Sequence, residues 1–223
     1  KPSNGIRKNM LTEYEKNGYV IVEDLLPKKL YSELLEVCTL ADDYAEVKQI
    51  RKGRYELWKT EDDKNFPTVD EDYMAHMWAS DSILETDIFK HVFNTYIKPY
   101  MLKLTDGKVN RFMHQANRYN NDSKDYLRLH YDDYMGLCGY IFYVNKTEWK
   151  YDWGGLLHFT KDDNISTILP NPNRLVLTNH GARIGHWVTP TNKWALANRY
   201  VLTGFSLEED RELPETWKKR IDE

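Results

Sequence analysis

Apolar residues in this chain keep a mainly helical rhythm up to about residue 105 and a strand rhythm after it, and that switch narrows its folds more than any other feature. Residues 11–17 read as a short helix, with Thr12 available as its cap and Gly18 as its stop. Residues 19–22 are β-branched and aromatic, which predicts a strand. Leu30, Leu34, Leu35 and Cys38 fall at helical spacing within residues 27–41. A second main helix is expected over residues 82–103, with Ile83, Leu84, Ile88, Phe89, Val92, Phe93 and Ile97 on its inner side and Pro99 placed to bend it. From Asn110 onward short strands are separated by Asn, Gly, Asp and Pro. Helices first and strands later predict an α+β fold rather than an alternating parallel one.

The chain of 223 residues is long enough for one substantial core. No repeat or second domain is visible, so residues 1–223 are expected to form a single domain, with helical support mainly in 1–105 and a β core mainly in 108–206. The net charge of −4 gives no bias toward nucleic acid or an anionic membrane. No apolar run approaches a membrane span and no signal-peptide pattern is visible. Cys38 falls in an apolar helical pattern and Cys138 in a strand, and both read as buried free thiols rather than a bridge, so a reducing, cytoplasmic setting is expected. Oligomeric state is not legible.

His130-Tyr131-Asp132, followed at a distance by His186, carries the chemistry. Side chains alternate across a strand, so positions 130 and 132 point the same way and can grip one ion. A second His from a strand paired nearby closes the triangle. Two imidazoles and a carboxylate suit divalent iron with open positions, whereas a structural zinc site has four protein ligands. His180 is the rival for the third position, but Thr178-Asn179-His180-Gly181 reads as a turn. Asp133 rivals Asp132, although alternation points it away. Arg199 sits in an alternating run whose inward set is otherwise apolar, which suggests an occupied anionic pocket, because a guanidinium fork matches a carboxylate.

Four stretches resemble, in order, the double-stranded β-helix core of 2-oxoglutarate/Fe(II)-dependent oxygenases, particularly the prolyl-hydroxylase-like branch. They are Leu129-His130-Tyr131-Asp132-Asp133, Tyr140-Ile141-Phe142-Tyr143-Val144-Asn145, Trp153-Gly154-Gly155-Leu156-Leu157-His158-Phe159, and the run from Asn173-Arg174-Leu175 through His186-Trp187-Val188-Thr189-Pro190 to Asn198-Arg199-Tyr200 and Gly204-Phe205. Tyr14-Glu15-Lys16-Asn17-Gly18-Tyr19-Val20-Ile21-Val22 is similar to the opening of these enzymes. The resemblance implies a jelly-roll, cupin-like β-helix with supporting N-terminal helices. It implies Fe(II) on His130, Asp132 and His186, with 2-oxoglutarate and O2 as cosubstrates. Arg199 would anchor the distal carboxylate of 2-oxoglutarate, Tyr143 would share it, and Tyr119 matches a second cosubstrate contact. The stretch between His186 and Arg199 is longer than in the closest pattern, which implies a longer turn through Thr191-Asn192-Lys193 and leaves Lys193 as a lesser anchor candidate.

The implied reaction is hydroxylation of an unactivated C–H bond with release of succinate and CO2. Retention of Asp132 speaks against the halogenases of this superfamily, which replace that carboxylate with Gly or Ala. The substrate is expected to be a peptidyl residue such as proline or a small amino-acid-like metabolite, with no nucleic acid or membrane partner. Residues 45–80 form a long polar and aromatic segment of the kind that serves as a functional loop. Within it Gln49, Arg51, Arg54, Tyr55, Trp58, Lys59, Tyr73 and Trp78 are candidates for a substrate wall. Asn117 and Arg128 flank the same cavity by parity. Trp153, Gly154 and Gly155 read as a structural turn. His76, His91, His114 and His158 read as surface or packed histidines, with His158 alternating into the barrel wall. Two other classes remain open: a cupin-like metal enzyme that does not use 2-oxoglutarate, and a noncatalytic sensor or binding module on the same barrel.

Overall fold

A computed structural model of the chain describes residues 8–50, 73–122, 124–132, 136–207 and 221–222. Helix α1 (Lys8–Asn17) ends at Gly18, whose φ of +81° lets the chain turn into β1 (Tyr19–Val22). The helix starts before Thr12, so that residue lies inside it and is not the cap its type suggested. Pro27 precedes α2 (Lys28–Leu40), which buries Leu34 and Cys38. Strands β2 (Ala45–Ile50) and β3 (Tyr73–Ser80) pair as a hairpin, so both ends of the expected loop are regular.

The long helix expected over residues 82–103 is broken. It becomes α3 (Ser82–Glu85), α4 (Asp87–Val92), a π-helical turn at Phe93–Ile97 and α5 (Lys98–Leu104). Thr86 is extended and caps α4 by accepting a hydrogen bond from the Phe89 N–H at 3.3 Å. Pro99 follows the wide turn, where it has no N–H to continue the ladder. The apolar pattern was unchanged by these breaks because Ile83, Phe89, Val92, Phe93 and Ile97 all still face one core.

The remaining strands are β4 (Arg111–Tyr119), β5 (Tyr126–His130), β6 (Cys138–Tyr143), β7 (Leu157–Lys161), β8 (Asn164–Ile168), β9 (Leu175–Asn179), β10 (Gly185–Val188), β11 (Arg199–Leu207) and the short β12 (Ile221–Asp222). They form one curled antiparallel sheet in the order β1-β9-β6-β11-β4-β3-β5-β10-β7-β8, with β2 added beside β3 and β12 beside β4. This is the double-stranded β-helix arrangement, with helices on one face. Tyr19 of β1 stacks on Phe159 of β7 at 4.5 Å, joining opposite ends of the strand order across the interior.

Alternation along the larger half of the sheet separates two cores. Phe112, Ala116, Tyr140, Phe142, Leu175, Leu177 and Leu202 face the helices. Tyr119, Tyr143, Val176 and Val201 face the barrel interior with Leu157, Phe159 and Val188 of the smaller half. Cys38 and Cys138 are buried and unbridged, and both belong to the helix-side core. Among the described residues no helix is long and apolar enough to cross a membrane.

Asn173 joins the N-terminal layer to the barrel. Its side chain accepts the Leu26 N–H at 2.9 Å and donates to the Leu26 carbonyl at 2.8 Å, while its own carbonyl accepts from Leu25 at 3.1 Å. Its φ of +59° is a conformation that Asn tolerates better than most residues. Asn173→Ala strands two buried backbone groups, and equilibrium denaturation should show a loss of about 2–4 kcal/mol. His114 gives a second expectation. Burial, aided by the nearby positive charge of Lys98, pushes its pKa from 6.5 to about 3. Between those values the unfolded chain binds a proton that the folded chain refuses, so His114 costs stability progressively as pH falls from about 6.5 toward 3. His114→Gln should flatten that part of the profile in denaturant midpoints taken across the same window.

Candidate active site

The site begins with the register of two strands. His130 at the end of β5 lies directly opposite His186 of β10, whereas Leu127 opposes Val188. Three steps along β5 therefore match two along β10, which is a β-bulge. The bulge returns Leu127 and His130 to the same interior side. Arg128 within the bulge is half-buried, and Leu129 beside it is largely exposed.

The three side chains meet as their spacing required. Ligand atoms of His130, Asp132 and His186 all lie within 4.8 Å of one another, and all three residues are buried. His130 Nε2 is 3.7 Å from one Asp132 oxygen and His186 Nε2 is 3.3 Å from the other. His130 Nδ1 lies 2.8 Å from the Arg128 carbonyl, so donation there leaves Nε2 as the lone-pair nitrogen facing the cluster. Burial raises the Asp132 pKa, but the facing imidazoles of His130 and His186 outweigh it and hold the carboxyl well below the usual carboxylate range. A permanently ionised carboxylate between two imidazoles fits a divalent cation. His180 lies outside the triad. It is buried, with Nδ1 3.1 Å from the Gly136 carbonyl and Nε2 3.3 Å from Thr178 Oγ1. Asp133 lies outside the described residues.

Arg199 occupies the first position of β11, between β4 and β6, and is only 1% exposed. It is thus in mid-sheet rather than on an edge. Its guanidinium carbon is 4.6 Å from the Tyr119 ring and 5.1 Å from the Tyr143 ring. Burial raises the Tyr119 hydroxyl to about 12 and also raises Tyr143, with the Arg199 charge opposing both shifts. Both phenols therefore stay protonated and can donate. Arg199 Nε and Nη1, Tyr143 Oη and Thr191 Oγ1 are buried without hydrogen-bond partners. Such a concentration of unpaired donors is the signature of an anion-binding pocket. Lys193, the lesser candidate, is exposed, with its ammonium over Trp194.

The Gly-Gly turn proves to be part of this pocket's construction. Gly155 has a φ of +63°, and a Cβ there would lie 2.9 Å from Thr191 Oγ1 and 3.2 Å from Arg199 Cδ. Thr191 was not distinguishable in the sequence from any loop threonine. Asn117 is buried on the interior face with Tyr119, and its amide lies 3.4 Å from Gln115. Trp78 turns the other way, toward Arg118 on the helix-facing side, because the neighbouring Met77 takes the interior position. Arg51, Arg54, Tyr55, Trp58 and Lys59 lie outside the described residues, and nothing is described of the side chains of Gln49 and Tyr73. His158 stacks on Trp187 at 4.8 Å and bonds Thr167, away from the triad, because the residue that enters the interior is its neighbour Phe159. His76 bridges Glu46 at 2.8 Å and Asp125 at 2.7 Å, tying the β2–β3 hairpin to the start of β5.

Residues 114–207, which carry the triad and Arg199, match the model of the 2OG-Fe(II) oxygenase superfamily. The β-helix of this chain is that of a 2OG-Fe(II) oxygenase. The matched residues and the fold together support an Fe(II)/2-oxoglutarate-dependent dioxygenase, with Fe(II) as cofactor and 2-oxoglutarate and O2 as cosubstrates. No curated protein matches by sequence. The fold is similar to that of a Pseudomonas putida prolyl-4-hydroxylase, with a TM-score of 0.62 at 16% identity over 90% of this chain and 98% of that one. It is similar to a Trichoplax adhaerens prolyl hydroxylase in complex with a hypoxia inducible factor peptide fragment, with a TM-score of 0.62 at 18% identity, covering 90% and 89%. It also resembles the nogalamycin epimerase SnoN in complex with Fe3+ and α-ketoglutarate, with a TM-score of 0.60 at 14% identity, covering 94% and 90%.

Gly155→Ala should weaken 2-oxoglutarate binding by about tenfold or more, since one methyl would press on the Arg199 stem. Fe(II) affinity should stay within about twofold, because none of the atoms that methyl would meet belongs to the triad. Parallel titrations of metal and cosubstrate check the separation.

Proposed function

We propose that this oxygenase hydroxylates an unactivated C–H bond of a peptidyl residue, such as proline, or of a small amino-acid-like metabolite. The observation that supports this most directly is the buried His130–Asp132–His186 cluster beside a buried Arg199. In this reading the triad holds Fe(II) through His130 Nε2, His186 Nε2 and the Asp132 carboxylate. When bound, the iron and 2-oxoglutarate supply the oxidation of substrate by O2, with succinate and CO2 released.

The chain's own residues do the rest. Asp132 stays ionised across the physiological range and supplies the negative charge that favours a divalent ion. Arg199, with the protonated Tyr143, grips the distal carboxylate of 2-oxoglutarate and fixes how far the cosubstrate reaches toward the triad. Tyr119 lies against the guanidinium and fills the wall beside it. Leu157, Phe159, Val188 and Val201 keep the interior dry, which strengthens every charge contact made within it. The described helices and strands serve as one supporting unit for this pocket, in keeping with a single oxygenase domain.

A peptide substrate draws support from the Trichoplax neighbour and its bound peptide fragment, and a small-molecule one from SnoN and its complex with nogalamycin RO. Anaerobic addition of Fe(II) and then 2-oxoglutarate should produce a visible charge-transfer band. His186→Ala should abolish the band and weaken Fe(II) binding by more than about 100-fold, and Arg199→Ala should weaken 2-oxoglutarate binding by about 100-fold. Peptide and amino-acid panels, followed by mass, should yield a product carrying one added oxygen with stoichiometric succinate. Succinate-coupled turnover of a substrate whose mass is unchanged would replace hydroxylation with epimerisation, and tight metal binding without the band would favour a cupin-like enzyme that does not use 2-oxoglutarate.

A further inference from the structure

We propose that Thr191 is a third donor to the distal carboxylate of 2-oxoglutarate, beside Arg199 and Tyr143; the assignment rests on the cosubstrate reading above. Thr191 is fully buried at 0% exposure, yet its hydroxyl has no hydrogen-bond partner. A buried hydroxyl left unpaired is costly, so a donor of this kind calls for a partner that completes it. Its neighbours identify the ligand. The point 2.9 Å from Thr191 Oγ1 is also 3.2 Å from Arg199 Cδ, so the hydroxyl lies alongside the stem of the anchoring cation. Arg199 Nε and Nη1 are unpaired, as is the hydroxyl of Tyr143, whose ring lies 5.1 Å from the guanidinium carbon.

Backbone contacts hold Thr191 there. Gly154 and Thr191 form an isolated antiparallel bridge, the Gly155 N–H donates to the Pro190 carbonyl at 3.1 Å, and the Asn192 N–H donates to the Trp153 carbonyl at 2.9 Å. Leu156 and Thr189 extend the same zipper, through a 3.1 Å backbone bond and a 3.0 Å bond from the Leu156 N–H to Thr189 Oγ1. Both glycines are needed for so close an approach, since a Cβ on Gly154 would collide with the Pro190 carbonyl. A carboxylate offers about four lone-pair sites. A guanidinium fork fills two, and two hydroxyl donors fill the others.

Thr191→Val removes the hydroxyl at nearly constant shape, and Thr191→Ser keeps it. The readout is the affinity of Fe(II)-loaded protein, held under anaerobic conditions, for 2-oxoglutarate and for 2-oxopentanoate, which has a methyl in place of the distal carboxylate. We expect Thr191→Val to weaken 2-oxoglutarate by about tenfold, as for loss of one hydrogen bond to a charged group, and to leave 2-oxopentanoate unchanged. Thr191→Ser should restore parent affinity. Unchanged 2-oxoglutarate binding in Thr191→Val, with Arg199→Ala still weakened, overturns the proposal and leaves the cosubstrate reading intact. Equal weakening of both ligands also overturns it, because the residue would then act on the pocket's shape. Failure of Arg199→Ala to change either affinity removes the cosubstrate reading itself. If Thr191→Val does not fold, Thr191→Ala carries the same comparison.

Discussion

The pairing of His130 with His186 across β5 and β10 is the contact on which the rest of the site depends. Antiparallel register sets which residues face each other, and a slip of one residue would send one imidazole to the outer face. The bulge in β5 makes the register workable. It lets a strand that follows the interior apolar pattern at Leu127 present His130 to the same interior, with the Arg128 carbonyl left in place to orient the ring. Asp132, just past the strand, needs only to follow the chain out.

A second constraint runs through the turn at residues 153–156. In isolation the two glycines look like loop geometry, and their backbone angles do require residues without a Cβ. Their larger effect is on distant side chains. By letting residues 153–156 lie against residues 189–192, they bring Thr191 and the Arg199 stem to either side of Gly155. The His130–Asp132–His186 cluster and Arg199 thus rest on different strand pairs, β5–β10 and β11 with β4 and β6, and the interior apolar residues are what hold the two at a fixed separation.

Much of this was legible in the sequence. The triad and Arg199 could be read because strand alternation and ligand chemistry are local rules, and both kept their force in the folded chain. Tyr119 and Tyr143 could be placed because they share parity with interior residues of their own strands. What escaped were features decided by tertiary contact. The bulge in β5 has no residue signature. The break of the long helix into pieces kept the apolar stripe intact, so periodicity could not report it. Trp78 looked like a wall residue by type, yet its strand parity, visible only once Met77 was seen to point inward, sends it to the opposite face. Thr191 offered no signal, since its meaning lies in a partner it does not have.

Arg199 is a full positive charge enclosed in a protein interior, and among the described residues no carboxylate stands in contact with it. Burying a charge in this way strains the folded state, and an anion that enters the pocket relieves the strain as it binds. In the proposed reading the cosubstrate acts on the chain as a structural counter-ion as well as a reactant. Anything that binds the folded form alone shifts the folding equilibrium by mass action, so the lifetime of this protein would follow the supply of its own cosubstrate. Metabolic state would then set how much enzyme persists as well as how fast it turns over.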